Sequence, residues 1–308
     1  MSEYIKTELL IQYYENIDSI FNKIKSYRKH LDIVFIFGSA STNSYRNKFI
    51  EYTKSSESQV FKYITIEDIY KDILYFYPQY RGVGAKKIEL ANLEHEAINN
   101  AYSILLFPES FGSCAELGYF SFTEKSRDKM IILNHQKYNN KDTYVNELVN
   151  FVHDKKHINP YYFIDGQEFD TFSLCIEKLM YGYKDIESYI RSVYVPLSEI
   201  DNEMYKLSFL YEVIKFFPYI SQSELIGLLR YIYKKNEIST ENLEKYVISM
   251  ISLLYVTKLI KRENISDKFF LKVSNESYNL FNYYELTEDE YKEKLTISMS
   301  LKKARGLI

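Results

Sequence analysis

A glutamate at the start of a predicted helix is the residue of this chain best placed to do chemistry. Glu116 follows the apolar run 104–107, which predicts a buried strand, and the small polar loop 108–113. A strand, a loop of small residues and a helix N-terminus together form a common place to hold an anionic or ribosyl ligand. The free N–H groups and the macrodipole of such a helix start lower the pKa of a nearby carboxyl, so Glu116 is expected to be ionised.

An ionised carboxylate of this kind suits the cleavage of an N-glycosidic bond. The transition state carries positive charge on the sugar, and a carboxylate beside the anomeric carbon either stabilises that charge or attacks it. Gly112 would let the backbone approach a ligand closely, and the hydroxyls of Ser110 and Ser113 would bind sugar hydroxyls or a phosphate. On this interpretation Glu116 would be catalytic and these three loop residues would bind substrate.

The same spacing also has a purely structural interpretation. Ser113-x-x-Glu116 matches a capping box, in which the glutamate satisfies a free backbone N–H at the helix start. Cys114 is a second possible nucleophile, because a thiol at a helix N-terminus can have a depressed pKa. No histidine lies near it in sequence to act as its base, so a small packed side chain is the favoured interpretation of Cys114. Spacing alone leaves catalysis and capping both open.

A second strand end supplies further candidates for the same site. Residues 32–37 predict a strand that ends at Gly38 and Ser39, which would contact ribose or phosphate or else form a plain tight turn. Arg46 would pair with a phosphate or face solvent, and Glu94 would be a second carboxylate of the site or a surface charge. The carboxyl ends of parallel strands meet at one sheet edge, so we expect these candidates to converge with the Glu116 loop.

Composition limits the classes of protein to which the chain can belong. Its 308 residues are 46% hydrophobic, with a formal net charge of -3, which provides no general attraction to nucleic acid. The two cysteines, Cys114 and Cys175, are far apart and fit a reducing compartment, and they exclude a cysteine-rich metal site. With no signal pattern and no membrane-length apolar run, we expect a cytoplasmic protein without metal or cofactor.

The pattern along the first 180 residues predicts an α/β fold. An amphipathic helix is expected over 5–30, and strands then alternate with helices, several strands being apolar on both faces. Such strands favour a parallel, Rossmann-like sheet with helices on both sides. The strands are predicted at 32–37, 60–66, 104–107, 129–133 and 161–164, and the helices at 67–76, 86–101 and from 113 onward.

The remainder of the chain predicts a second domain of a different type. We expect a linker helix over 183–203, followed by three helices and a two-stranded hairpin, which together form a winged helix-turn-helix over 204–308. The predicted helices are 203–217, 225–234 with Ser221 and Glu224 at its capped start, and 241–255 capped by Ser239 or Thr240; the hairpin strands are 258–262 and 269–273. The first domain is then 1–182.

Basic residues of the predicted wing could contact nucleic acid or a protein partner. From 199 to the end of the chain, acidic and basic residues are equal in number, so phosphate binding would need a localised patch. A domain used for protein docking is at least as consistent with that balance as one that reads DNA. The candidate contact residues are Lys258, Lys261, Arg262, Lys268 and Lys272.

The segment Pro108-Glu109-Ser110-x-Gly112-Ser113-x-x-Glu116-Leu117-Gly118, followed by Phe120-Ser121, resembles the active-site segment of nucleoside deoxyribosyltransferase-like toxins. In particular it is similar to the effectors of type II retrons, which are bacterial anti-phage systems. Phe37-Gly38-Ser39 with Tyr45-Arg46 downstream resembles the first ligand loop of that family. The two-domain layout also matches, although only the loop of about twenty residues is specific.

The resemblance implies an N-glycosidase that acts on a nucleotide, with NAD as the candidate substrate and Glu116 as the catalytic glutamate. It also implies that a retron reverse transcriptase and its multicopy single-stranded DNA–RNA hybrid hold the effector inactive until phage infection. Oligomers are expected because related folds borrow residues across subunits. Two alternatives stay open: a nucleotide sensor without turnover, and a DNA-binding regulator that acts through the winged helix.

Overall fold

A computed structural model of the protein describes most of the chain. The described residues are 3–21, 24–55, 60–80, 88–139, 143–156, 161–185, 189–191, 203–265 and 267–283, together with positions 287, 289–290, 293, 296–297, 300 and 303. The α-helices are α1 (Glu3–Phe21), α2 (Tyr45–Ser55), α3 (Ile66–Phe76), α4 (Leu90–Asn100), α5 (Phe111–Phe122), α6 (Glu124–Lys129), α7 (Tyr144–Lys156), α8 (Glu168–Asp185), α9 (Glu203–Phe216), α10 (Gln222–Lys235) and α11 (Leu243–Val256). The strands are β1 (Ile24–Arg28), β2 (Leu31–Phe37), β3 (Lys62–Ile64), β4 (Ala101–Leu106), β5 (Met130–His135), β6 (Tyr161–Phe163), β7 (Tyr189–Arg191), β8 (Ile220–Ser221), β9 (Ile260–Ile265), β10 (Lys268–Val273) and β11 (Phe281–Tyr283).

Five parallel strands form the sheet of one compact unit, which comprises His30–Asp68 and Glu89–Ser188. The strand order is β3-β2-β4-β5-β6, and each neighbouring pair is parallel. The predicted α/β class with a parallel sheet is thereby confirmed. The direction of strand addition reverses between β2 and β4, and open sheets of this kind bind ligands at that reversal, beyond the carboxyl ends of the strands.

Both faces of the sheet are buried, as the apolar strands predict. Side chains alternate along β2, so Val34 and Ile36 join a core with Phe49 of α2 and Phe172 of α8 on one face. On the other face Phe37 meets Phe120 of α5, with ring centroids 5.0 Å apart. Helix α5 therefore packs on this face of the sheet, next to the loops that follow β2 and β4.

Lys129 fastens helix α4 to the sheet. Its ammonium lies at the end of α6, directly before β5, and donates to the carbonyl oxygens of Ile98, Asn99 and Ala101 at 3.1, 2.9 and 2.8 Å. The last carbonyl groups of a helix lack partners within the helix, so a buried ammonium at this point replaces lost hydrogen bonds. One side chain thus ties together the end of α4 and the starts of β4 and β5.

The second compact unit comprises Met1–Lys29, Ile69–Ile88 and Tyr189–Ile308. Helix α1 contacts α10 in this unit, and β1 pairs with both β7 and β11. The predicted helix over 5–30 is therefore wrong at its end, because the helix stops at Phe21 and residues 24–28 are a strand. Long-range partners hold that strand, among them Tyr205, whose ring centroid lies 5.3 Å from that of Tyr27, and local periodicity cannot reveal such partners.

The two units do not follow the contiguous boundaries expected from the sequence. Residues 1–29 and 69–88 group with the C-terminal part of the chain instead of with the parallel sheet. The predicted linker helix over 183–203 is wrong at 189–191, which form β7, and its residues 186–188 and 192–202 lie outside the described part of the chain. The functional boundaries at 182 and 204 stay a prediction.

Residues 203–273 form three helices and a three-stranded sheet, which we call the C-terminal module. Its strands follow the order β8-β10-β9, with β9 and β10 as the predicted hairpin. The predicted capping box at the start of α10 is confirmed, since Ser221 and Glu224 each accept a backbone N–H of the other. The predicted cap of α11 is wrong: the helix starts at Leu243 after Asn242, which has a φ of 57° and makes no side-chain capping bond.

Among the described residues, no helix combines the length and the apolar character needed to cross a bilayer.

Candidate active site

Glu109 holds together the two loops that leave the sheet at its reversal point. Strands β2 and β4 end in register, with Phe37 beside Leu106. From the loop after β4, Glu109 Oε1 accepts the backbone N–H groups of Ser39 at 3.1 Å and Arg46 at 3.2 Å, while its Oε2 accepts that of Tyr45 at 2.9 Å. The predicted convergence of the two loops is confirmed, and a residue to which the sequence analysis gave no role fastens them.

Gly38 is the point of closest approach between the two loops. A β-carbon added there would lie 2.9 Å from Arg46 Cβ, 3.0 Å from Glu109 Oε1 and 3.2 Å from Phe107 Cβ. Atoms this close leave no room for a methyl group unless the loop shifts. Gly112 differs, because its added β-carbon would meet only Ser110 Oγ, at 3.9 Å. The chain itself therefore requires glycine at position 38 and does not require it at position 112.

Gly38→Ala is expected to lower the free energy of unfolding by about 1–3 kcal/mol through overpacking. Gly112→Ala, the matched control, should be neutral or stabilising by up to about 1 kcal/mol, because alanine favours the helix that begins there. Chemical denaturation of both variants measures the difference. Equal losses in the two variants would contradict the crowding at Gly38.

Helix α5 starts at Phe111, two residues earlier than predicted, and is capped without Glu116. Ser110 is the N-cap, and its Oγ accepts the backbone N–H of Ser113, whose own Oγ accepts the N–H of Ser110 at 2.9 Å. The capping box is therefore Ser110–Ser113, and the alternative capping role of Glu116 is wrong. Ser113 is buried, and its hydroxyl also accepts the N–H of Glu109, so the structure gives it a capping role instead of a ligand-binding one.

Glu116 lies in the second turn of α5 among other charged side chains of the same unit. Its Oε2 is buried and has no hydrogen-bond partner among the described residues. Burial, together with the carboxylates of Glu94 and Glu67, raises the pKa of Glu116 to about 7, and the guanidinium of Arg46 opposes this rise. The expectation that the helix start would lower this pKa is wrong, because desolvation and like charges outweigh a helix start that is one turn away.

The fold brings both Arg46 and Glu94 close to Glu116, whereas the sequence left open whether they belong to the site or face solvent. Arg46 is buried and its Nη1 lies 2.7 Å from Glu67 Oε1, so it does not face solvent. Glu94 is half-buried on α4, and its pKa is raised by burial and by Glu67. The carboxylate cluster, defined as Glu67, Glu94 and Glu116 with Arg46, therefore holds more negative than positive charge when ionised.

Glu67 was missed because it stands in an ordinary helix start in the sequence. Acidic residues are common in the first turn of a helix, and Glu67 is accompanied there by Asp68. Only the pairing of β3 next to β2 brings α3 toward Arg46. No local signal could have separated it from a solvent-exposed charge.

Cys114 does not have the environment of a reactive thiol. Its side chain is partly buried in α5, and burial raises the pKa of the thiol. A nucleophilic cysteine needs the opposite shift, together with a nearby cation or base. The structure therefore favours the interpretation of Cys114 as a small packed residue.

A second polar group lies at the carboxyl edge of the same sheet. Asp165, just after β6, pairs with the hydroxyl of Tyr45 and lies 3.1 Å from Nε2 of His135, the last residue of β5. Lys48 Nζ lies 2.7 Å from Glu168 Oε1 on the same side. The Tyr45 backbone is bound by Glu109, so this group and the Gly38 loop share one support.

The basic residues predicted to contact nucleic acid have different environments in the C-terminal module. Lys258, Lys261 and Lys268 are exposed. Lys272 forms an ion pair with Glu263. The side chain of Arg262 is 2% exposed and bound to Asp72, so it does not face solvent as a wing contact would.

Comparison with known proteins places the chain among retron proteins. Residues 42–262 match the family described as STM3845 retron effector protein, which covers more than half of the chain. A protein of Escherichia coli, named provisionally as the ribosyltransferase/DNA-binding protein of retron Ec86, is 32% identical over 117 residues. That alignment covers 37% of this chain and 34% of the relative, so the chain spans about a third of the length of the curated relative it matches.

Proposed function

The chain belongs to the STM3845 retron effector family, and from this membership and the carboxylate cluster we propose that it cleaves the N-glycosidic bond of a nucleotide, with NAD as the candidate substrate. The observation that carries the proposal is Glu116, whose buried Oε2 has no protein partner in the described part of the chain. Its place next to the sheet reversal is where a ligand of an open parallel sheet binds. The provisional name of the retron Ec86 relative, a ribosyltransferase, agrees with chemistry at a sugar carbon.

In this proposal the ionised form of Glu116 acts at the anomeric carbon. As the bond to the base breaks, its electron pair leaves with the base, and the positive charge that develops on the sugar meets the carboxylate. A covalent or ion-paired sugar is then released by water, which loses a proton. Because the nicotinamide of NAD carries a positive charge while bonded, it leaves as a neutral molecule and needs no proton.

Glu94 is proposed as the proton donor for bases that leave as anions. Its pKa is raised by burial and by Glu67, which favours the protonated form that a donor needs. Two carboxyl groups in one site can divide the acid and base roles between them. The proton donor would matter for a purine or pyrimidine nucleotide and would matter little for NAD.

The loops on either side of Glu109 are proposed to position the substrate. Gly38 and Ser39 follow the end of β2, and Ser110 and Gly112 lie at the start of α5, where free backbone N–H groups favour a phosphate. We propose that Arg46 orients the site through its ion pair with Glu67. In this role Arg46 does not bind a phosphate directly.

The wider biological role is also a proposal. Family membership supports an association with a retron system, and we propose that the reverse transcriptase and its DNA–RNA hybrid restrain the effector until phage infection. We further propose a nucleoside deoxyribosyltransferase-like fold for the first unit, a winged helix for the C-terminal module and assembly into oligomers. The strand order β8-β10-β9, with β8 between α9 and α10 and the hairpin after α11, supports the winged-helix interpretation.

Release of free base from NAD is expected to rise with pH through about 7, because the ionised fraction of Glu116 grows as pH passes its raised pKa. The measurement is chromatographic detection of nicotinamide, alongside a panel of purine and pyrimidine nucleotides. Glu94→Gln is the comparison: it should move the midpoint to lower pH, since one neighbouring negative charge is lost, and it should slow the nucleotide reactions more than NAD cleavage. A rate that falls through the same pH range would contradict an ionised Glu116.

A nucleotide sensor is the second candidate function. The raised pKa of Glu116 favours it, because a carboxyl that is protonated below about pH 7 can bind a ligand without attacking it. Tight binding of NAD at every pH tested, with no free base released in the presence of the assembled retron partners, would favour the sensor.

A further inference from the structure

Arg262 of the C-terminal module makes a buried, bidentate ion pair. Its Nη1 donates to Asp72 Oδ1 at 2.6 Å and its Nη2 to Asp72 Oδ2 at 2.8 Å. The two side chains are 2% and 7% exposed. A guanidinium and a carboxylate that have both left water depend on each other, so neither is available to another charged partner.

Aromatic rings complete the surroundings of this guanidinium. The Arg262 Cζ lies 3.9 Å from the ring centroid of Phe76 and 4.3 Å from that of Tyr255. These distances are typical of cation–π interactions, which add to the stabilisation from the ion pair when water is excluded. Phe76 comes from α3 and Tyr255 from α11, so Arg262 joins two elements far apart in sequence.

Residues 72–80, which we call the covering segment, lie against α11 and the hairpin. Phe76 meets the rings of Tyr255 on α11 and Phe269 on β10, with centroids 6.0 and 5.3 Å away. The hydroxyl of Tyr80 donates to Glu244 Oε1 at 2.7 Å, at the first turn of α11. The covering segment therefore contacts α11 near both ends and both strands of the hairpin.

Helix α11 lacks the free side chains that a DNA-reading helix needs. From position 247 to its end at Val256 no residue of the helix is exposed, and most of them are apolar. A helix that reads the major groove presents polar side chains to the edges of the bases. The face of α11 and the hairpin is instead occupied by protein.

We infer that the face formed by α11 and the hairpin is a protein-docking surface occupied by the covering segment of this same chain, with Arg262 as its anchor, and that α11 does not read duplex DNA. The exposed Lys258, Lys261 and Lys268 add only three cations, on a part of the chain with balanced charge. This inference does not depend on the proposed glycosidic cleavage, because every residue that carries it lies in the other compact unit.

The test uses the full chain and two readouts, hydrogen exchange of the covering segment and binding of a short fluorescein-labelled duplex. Arg262→Gln should speed amide exchange at Tyr77 and Tyr80, which donate to Ile73 and Tyr77 carbonyls, by about tenfold or more. Lys261→Gln, an exposed cation one position earlier, should leave that exchange unchanged. Neither variant should change duplex affinity by more than about twofold at low or physiological salt.

The inference is overturned if Arg262→Gln weakens duplex binding about tenfold while exchange at Tyr77 and Tyr80 keeps the wild-type rate. A second variant covers the case in which Arg262→Gln does not fold. Tyr80→Phe removes only the hydroxyl bound to Glu244 and should speed exchange of the Tyr80 amide about threefold. Unchanged exchange in that folded variant would also overturn the inference.

Discussion

Glu116→Gln is expected to cleave NAD or a related nucleotide roughly a thousandfold more slowly than the wild-type protein, measured as kcat/KM for release of free base. Glutamine has nearly the same shape, but it cannot carry the negative charge that meets the developing sugar cation. The helix start is unaffected, because Ser110 and Ser113 cap α5. Lost activity in this variant would therefore report on chemistry and not on a damaged helix.

The stability of the same variant supplies an independent check. Burial and two neighbouring carboxylates raise the folded pKa of Glu116 to about 7, so between the unfolded value and 7 the folded protein holds the extra proton. Wild-type stability then falls as pH rises through this window. Glu116→Gln removes that loss, so at pH 8 it should exceed wild type by on the order of 1 kcal/mol, reduced by solvent screening, and match it near pH 4.

A Gln variant that unfolds more easily than wild type at pH 8 would contradict the buried, charge-crowded environment of Glu116. Full activity in a well-folded Gln variant would contradict the catalytic role itself. The two outcomes are distinct because one is read by denaturation and the other by product release. Arg46→Gln should move the pH midpoint of activity upward, since Arg46 lowers the Glu116 pKa.

Glu109→Ala is expected to lower the free energy of unfolding by about 2–3 kcal/mol and to reduce base release about a hundredfold. Three backbone N–H groups, those of Ser39, Tyr45 and Arg46, would lose their shared acceptor. The loop after β2 would then lose its position relative to the Glu116 loop. Urea denaturation and steady-state kinetics on the same preparation measure the two effects.

Glu51→Ala is the matched control for Glu109. Glu51 is an exposed glutamate of α2 that pairs with Lys54, one turn along the same helix, and such surface pairs contribute about 0.5 kcal/mol. Glu109→Gln should lie between the two, because its one amide oxygen can still accept some of the N–H groups. Similar stability losses for Glu51→Ala and Glu109→Ala would contradict the role of Glu109 as the tie between the loops.

The parts of the fold that could be predicted are those that local sequence patterns specify. Apolar runs such as 104–107 identify the strands of the parallel sheet, and the Ser221–Glu224 spacing identifies the start of α10. The candidate site was located for the same reason, since loops after parallel strands must meet at one edge. Convergence of the Gly38 loop with the Glu116 loop follows from topology alone.

What could not be predicted depends on contacts between distant segments. The sequence around Glu116 is compatible both with a helix-capping glutamate and with a glutamate that lies among other carboxylates. Only the Ser110 cap and the proximity of Glu94 and Glu67 distinguish these two roles. In the sequence Arg262 resembles a surface cation of a wing, whereas in the structure it is bound to Asp72, 190 positions away. Local spacing carries no information about partners of that kind.

The three hydrogen bonds of Lys129 have a consequence for how the proposed activity can be inhibited. Sliding or tilting α4 would strip three carbonyl oxygens of their shared ammonium, so the helix that carries Glu94 moves only together with the sheet. The electrostatic field at Glu116 is therefore preorganised in the resting protein, before any substrate arrives. Under the proposed function, an inhibitor that moved α4 would have to break these hydrogen bonds, so we expect restraint to act on entry of the nucleotide.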